Sequence, residues 1–256
     1  MIFAKRGTGP VYYLKVRIAG LNIEVEFKNR SDFSSFKPYL FNFDTPDFVV
    51  NATDEKVNTL YNILSKDMSN KSIIGDVLEI AKIEEYAIFE ETAKRMLDYQ
   101  TILMHGAVVS KDGYAYMFTA PSGTGKTTRI KLWKDEYPDS IIINGDKPFI
   151  KITDSSPVAC GSPWCGKEGW NTNIMVPLRA IFLLERSDSE NYLEELTFEE
   201  ALPFLLQQIP FPSDIDGIQK MSSLIDSLVK KVKVYRFTST PTSAAIRLAY
   251  ETARPQ

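Results

Sequence analysis

Between Val11 and Phe27 the chain is rich in Val, Ile, Tyr and Phe and alternates in places. Gly20-Leu21-Asn22 supplies a turn signal inside it, so a β-hairpin is expected. Asp47 to Asn51 reads as a short strand, and Thr53 to Lys66 as a helix with Thr53 or Asp54 as its N-cap. From Ile73 to Tyr99 the period lengthens. Ile74, Val77, Leu78, Ala81, Ile88, Ala93, Met96 and Leu97 recur at three- and four-residue steps with charges between them. That spacing predicts the clearest helix of the chain. The pattern weakens at Glu84-Glu85, which allows a kink or a break.

The period then changes again. Thr101 to Ser110 is an apolar run, Lys111-Asp112-Gly113 a turn signal, and Tyr114 to Thr119 a second apolar run, together a second hairpin. A helical stretch follows to about Glu136 and is broken by Tyr137-Pro138-Asp139. Ile141-Ile142-Ile143 is a short buried strand, and Phe149 to Thr153 another. Gly161 to Asn173 is a loop rich in Gly, Trp and Asn. Beyond it the pattern predicts a strand over Arg179 to Leu184 and helices over Phe198 to Gln208 and Asp214 to Lys230. A strand over Lys233 to Phe237 and a final helix from Pro241 to Thr252, with proline at its start, complete the chain.

Composition narrows the class. The chain has 256 residues, 44% of them hydrophobic and 25% charged, which excludes collagen-like, low-complexity and wholly disordered chains. That length suits one large domain or two smaller ones. Thirty Lys and Arg against 33 Asp and Glu give a net charge of −3, the wrong sign for a dedicated nucleic-acid binder. Cys160, Cys165 and the single histidine, His105, supply only three of the four ligands of a structural zinc site. Lys5 and Arg6 lead into no apolar core, and no stretch is long enough to span a membrane. A cytoplasmic protein with neither nucleic-acid nor membrane partner is expected.

The chemistry is concentrated at Ala-Pro-Ser-Gly-Thr-Gly-Lys-Thr-Thr, residues 120–128, between an expected strand and an expected helix. G-x-x-x-x-G-K-[ST] in that setting is a phosphate loop. Gly125, Lys126 and Thr127 fit the pattern, and Ala120 departs from its first glycine by one methyl group. Gly123 and Gly125 permit the left-handed backbone that aims successive N–H groups at one anion. The start of the following helix adds its positive end. Pro121, Ser122, Gly123, Thr124, Gly125, Lys126, Thr127 and Thr128 are therefore the nucleotide-contacting candidates. Lys126 suits the β- and γ-phosphates, and the Thr127 hydroxyl suits Mg²⁺. The plainer alternative is a glycine-rich turn before a helix.

Phosphate-loop enzymes hold that metal with an Asp at the end of a neighbouring apolar strand. Ile141-Ile142-Ile143 followed by Asp146 has this form, although Asn-Gly-Asp is also ordinary turn chemistry. His105 lies on the run entering the hairpin that feeds the loop, which makes it a candidate beside the phosphate.

In their order, these residues resemble the HPr kinase/phosphorylase and phosphoenolpyruvate carboxykinase superfamily. The elements are Met104-His105, a hairpin, Ser122 to Thr127, and Gly145-Asp146 after a short strand. Asp146-Lys147-Pro148 and the Gly-x-Pro-Trp-x-Gly-Lys loop from Gly161 to Lys167 look closer still to an uncharacterised bacterial branch of HPr-kinase-like proteins. The resemblance covers about residues 100–185. It implies an α/β fold with a carboxykinase-like phosphate-loop core over residues 100–256, behind an N-terminal α+β segment, residues 1–99, ending in a long helix.

The activity it implies is transfer of the γ-phosphate of ATP, with Mg²⁺, to a hydroxyl, a serine by preference, of a protein, peptide or small-molecule acceptor. GTP is the alternative nucleotide, since no base-reading motif is visible. In that resemblance His105 lies beside the γ-phosphate and metal, Asp146 holds Mg²⁺, Lys126 neutralises charge, and Lys167 reaches the phosphoryl group or the acceptor. One departure stands out: the family shows two adjacent acids where this chain has Gly145-Asp146. A non-catalytic nucleotide-binding switch, or an accessory protein, is the competing expectation.

Overall fold

The computed structural model describes residues 2–4, 11–29, 31–68 and 80–255. It divides into two compact units, Met1–Arg95 and Met96–Gln256.

In the first unit, strands β1 (Ile2–Ala4), β2 (Val11–Ile18), β3 (Leu21–Phe27) and β4 (Phe48–Asn51) form one sheet in that order. β1–β2 and β2–β3 are antiparallel, and β3–β4 is parallel. Leu14, Val16 and Ile18 on β2 and Leu21, Ile23, Val25 and Phe27 on β3 are buried at every second position, the period of a half-buried sheet. The hairpin turns at Ala19-Gly20, one residue earlier than the sequence signal. Both residues have positive φ (52° and 82°), the mirror-image turn whose twist matches paired strands. Asn22 is consequently a strand residue.

Helices α1 (Asp54–Met68) and α2 (Ile80–Met96) follow. Ile74, Val77 and Leu78 lie outside the described residues. α2 runs through Glu84-Glu85 without a break. Glu84 is charged yet 1% exposed, because its carboxylate accepts from the N–H groups of Lys28 and Asn29 and from the Asn29 amide at 2.6–3.0 Å. A polar residue on the buried face thus satisfies the end of β3, where periodicity alone suggested a kink.

The second unit is mixed α/β. Its strands are β5 (Thr101–Leu103), β6 (Ala107–Lys111), β7 (Tyr114–Thr119), β8 (Ile141–Asn144), β9 (Phe149–Lys151), β10 (Val158–Cys160), β11 (Met175–Arg186), β12 (Tyr192–Glu195) and β13 (Lys233–Ser239). They make one nine-stranded sheet with the path β5-β9-β10-β11-β7-β6-β8; β13 pairs with β11 and β12. β11 lies parallel to both β7 and β13. The helices are α3 (Lys126–Glu136), α4 (Phe198–Leu206), α5 (Ile215–Lys231) and α6 (Ser243–Ala253).

Alternation along the central strands sorts the core into two layers. Tyr116 and Phe118 of β7, Phe182 of β11 and Phe237 of β13 pack with Trp133 of α3 and with Ile246 and Tyr250 of α6. Met117, Ile181, Leu183 and Val234 face the other way, onto Leu205 of α4 and Leu224, Ile225 and Leu228 of α5. A sheet covered on both faces fixes its strand ends, where loops can then be placed rigidly.

Three sequence expectations change here. The apolar run 101–110 is two strands, not one, interrupted at residues 104–106. The strand expected over 179–184 extends from Met175 to Arg186. Pro241 precedes the N-cap Thr242 rather than opening the final helix. Among the described residues no helix is long and apolar enough to cross a membrane.

Candidate functional site

The loop between β7 and α3 carries the first half of the site. Gly123 and Gly125 have φ of 80° and 113°, and a Cβ at either would meet nothing within 4 Å. Dihedral freedom, not crowding, is what calls for glycine at both. The Thr124 N–H and hydroxyl both donate to the Pro121 carbonyl, at 3.3 and 2.9 Å. The N-cap of α3 is Gly125, so no side chain caps its opening turn. Unclaimed first-turn N–H groups and the positive helix end leave a ready place for an anion.

Lys126 is buried, and its ammonium donates to the carbonyls of Ala120 (2.8 Å) and Pro121 (3.3 Å). Burial pushes its pKa down from the usual lysine value. Asp146 opposes that shift and Lys147 adds to it. Thr127 is half-buried, and Ser122 and Thr128 are exposed.

The second half is the turn after β8. Asn144, fully buried, is its keystone. Its side-chain oxygen accepts from the N–H groups of Asp146 and Lys147, both at 2.8 Å, and its amide nitrogen donates to the carbonyl and hydroxyl oxygens of Ser162. The Ser162 hydroxyl donates in turn to the Lys147 carbonyl at 2.6 Å. The Gly161–Asn173 loop therefore grips the turn that presents Asp146. Trp164, in contact with Phe149, and Trp170 anchor that loop by packing.

His105 sits in the break between β5 and β6, not on a strand. Met104, His105 and Gly106 donate their N–H groups to three different segments, the carbonyls of Pro148, Gln208 and Asp146. Successive donors bound to separate partners cannot maintain one ladder, which is why the apolar run divides. Gly106 is closely surrounded: a Cβ there would displace the terminal methyl of Met117, 2.3 Å away, and press on the Phe118 carbonyl oxygen at 3.0 Å.

Both imidazole nitrogens of His105 are engaged, Nε2 with Asp146 Oδ1 at 3.2 Å and Nδ1 with Gln208 Oε1 at 3.1 Å. The Thr119 hydroxyl donates to the His105 carbonyl at 2.6 Å and ties this segment to the start of the loop between β7 and α3. The other Asp146 oxygen faces the Lys147 ammonium at 3.8 Å. Burial alone would raise the Asp146 pKa. The His105 hydrogen bond and the fields of Lys147, His105 and Lys126 outweigh it and hold the carboxyl below its usual range. Burial lowers the pKa of Lys147, against the pull of Asp146.

His105, Lys126 and Asp146 are thus brought into one electrostatic neighbourhood. Lys167 is exposed on the turn closed by the Gly169 N–H on the Gly166 carbonyl, and among the described residues no hydrogen bond or ion pair joins it to the other three. Sequence reasoning missed Asn144, Lys147, Gln208 and Arg186; the last donates to the loop carbonyls of Gly123 and Thr124. Only Lys147 had a signal, its place in Asp-Lys-Pro.

Position 145 is also explained. The Gly145 N–H donates to the Trp170 carbonyl at 2.9 Å, and a Cβ there would lie 3.0 Å from the Cys165 carbonyl oxygen and 3.4 Å from Trp170 Cβ. A second acid at this position is therefore sterically opposed as well as missing.

Among the described residues no group of three or more His, Cys, Asp or Glu could hold a metal alone. Mg²⁺ characteristically takes one or two carboxylates and completes its shell with water and substrate phosphates. The Asp146 carboxylate and the Thr127 hydroxyl are donors of the kind such a metal takes from a protein.

No protein-family model matches the chain, and no curated protein does. Among solved structures, the Hpr(Ser) kinase/phosphatase from Coxiella burnetii is similar at a TM-score of 0.34 and 8% identity, over 59% of this chain and 93% of that one. A likeness that distant carries nothing about the chemistry of this site.

Proposed function

We propose that this chain is an ATP- and Mg²⁺-dependent phosphotransferase of HPr-kinase-like type, with a carboxykinase-like core over residues 100–256. It moves the γ-phosphate to a hydroxyl, a serine by preference, of a protein, peptide or small-molecule acceptor. The observation that carries this reading is the setting of Asp146: its carboxylate lies 3.2 Å from His105 Nε2 and 3.8 Å from the Lys147 ammonium, on the turn tied through Gly106 and His105 to the start of the 120–128 loop.

Residues 121–128 receive the phosphate chain, and Lys126 exchanges the Ala120 and Pro121 carbonyls for the β- and γ-phosphate oxygens. Thr127 and Asp146 would hold Mg²⁺, which supplies charge neutralisation on the phosphoryl group. The acceptor oxygen forms the new P–O bond as the bond to the ADP β-phosphate oxygen breaks, and the hydroxyl proton leaves to solvent. His105 is a positioning group for Asp146, since both its nitrogens are already engaged. A loose transition state asks more for charge and alignment than for a base. Lys147 is the second cation facing the transferred group, and exposed Lys167 is left for the acceptor.

The closure of position 145 by Cys165 and Trp170 favours a second reading, a nucleotide-binding switch without turnover. Incubation with γ-labelled ATP, Mg²⁺ and serine-containing peptides separates the two. Label in a peptide, lost in Asp146→Asn, supports the transferase. Tight nucleotide binding with neither labelled peptide nor released phosphate leaves the switch.

A further inference from the structure

A loop whose N–H groups point inward to an anion must turn its carbonyls outward, and those carbonyls need donors. β11 supplies one. It runs parallel to β7 with Leu183 opposite Thr119, the last strand residue before the loop. Three residues further along β11, Arg186 therefore emerges beside the loop itself. Its Nε donates to the Thr124 carbonyl at 3.0 Å, and another guanidinium nitrogen donates to the Gly123 carbonyl. A planar fork can bridge two successive carbonyls in this way, whereas a lysine ammonium is a single point donor.

A second arginine lies at the base of the same loop. Arg129, in the first turns of α3, is 4% exposed, and its guanidinium donates to the carbonyl and hydroxyl oxygens of Ser239. Ser239 is the residue of β13 that pairs with Arg186. The field of Arg186 is felt at Arg129, second to burial in lowering its pKa. Neither guanidinium forms an ion pair with a carboxylate among the described residues; both bind neutral oxygens. Two uncompensated positive charges thus stand behind the phosphate loop, one of them fixing its peptide orientation.

We propose that Arg186 is a positioning residue for nucleotide binding: it clamps the carbonyls of Gly123 and Thr124, so that the Gly125 N–H, on the far side of the Thr124–Gly125 peptide, faces the phosphates, and adds positive potential behind them. This deepens the phosphotransferase reading and rests on its nucleotide-binding step. Because Arg186 is exposed and lies outside both core layers, its replacement is expected to spare the ligand-free fold.

The test is calorimetric titration of the full chain with ADP and ATP in the presence of Mg²⁺, beside ligand-free melting. Arg186→Gln is expected to weaken both nucleotides about tenfold or more, at the scale of hydrogen bonds from a charged donor, with ligand-free melting unchanged. Arg186→Lys is expected to restore only part of the affinity. Equal affinity in wild type and Arg186→Gln overturns the proposal. If Arg186→Gln also melts early, Arg186→Lys decides: recovered melting with affinity still lost supports the clamp, and recovery of both assigns Arg186 to structure alone. Failure of the wild-type chain to bind either nucleotide sinks the phosphotransferase reading itself.

Discussion

Gly145→Asp would restore the acid pair of the proteins this chain resembles, and the structure opposes it. The new Cβ meets the Cys165 carbonyl oxygen at 3.0 Å and Trp170 Cβ at 3.4 Å. Overpacking of this kind typically costs about 1–3 kcal/mol. Loss of glycine freedom in the unfolded chain returns about 0.4–1 kcal/mol. A second carboxylate beside that of Asp146, in a half-buried position, adds about 1–3 kcal/mol. The expected net loss is about 1–6 kcal/mol, and for Gly145→Ala, which lacks the carboxylate, about 0–3 kcal/mol. Urea unfolding followed by tryptophan fluorescence reads this directly, because Trp133, Trp164 and Trp170 all lie in the second unit. At a slope of about 2 kcal/mol per M of urea, the Asp variant's midpoint should fall by about 1 M for each ~2 kcal/mol lost. Metal-dependent turnover should not rise. A Gly145→Asp chain as stable as its parent, or a more stable Gly145→Ala, would refute the claim that Cys165 and Trp170 close this position.

Asn144→Ala removes four hydrogen bonds from a fully buried side chain and should cost about 2–4 kcal/mol in the same urea assay; Mg²⁺-dependent nucleotide affinity should fall with it. Burial pushes the Cys160 thiol up to about 12, so at pH 8 it should stay uncoloured by a thiol reagent in the native chain and react fully in denaturant.

The legible parts of this protein were the local ones. Gly123, Gly125 and Lys126 announce their loop because the left-handed dihedrals and the helix start are properties of the segment itself. The hairpin over Val11 to Phe27 and the amphipathic α5 are visible in their periods for the same reason. What stayed hidden was the choice of distant partners. The division of the 101–110 run depends on carbonyls contributed by Pro148, Gln208 and Asp146, and the straightness of α2 on donors from Lys28 and Asn29. Gln208 and Arg186 carry no motif, because each earns its place by the register of a strand or the end of a helix more than fifty residues from what it holds. The short strands β10 and β12 were missed because three or four residues are too few for any period to register.

Asn144 followed by Gly145 is the sequence most prone to spontaneous deamidation, in which the glycine nitrogen attacks the asparagine side-chain carbon and ammonia departs. Here both participants are occupied: the Gly145 N–H is held by Trp170, and the Asn144 amide is bound at both ends. The folded chain therefore arrests its own chemical ageing, and damage accrues during excursions to the unfolded state. Each such event opens through a succinimide to aspartate or iso-aspartate; either product loses the amide donor to the Ser162 carbonyl, and an aged molecule is less stable than its parent. A change that destabilises the fold would thus also hasten damage at Asn144, the side chain that holds the Asp146 turn.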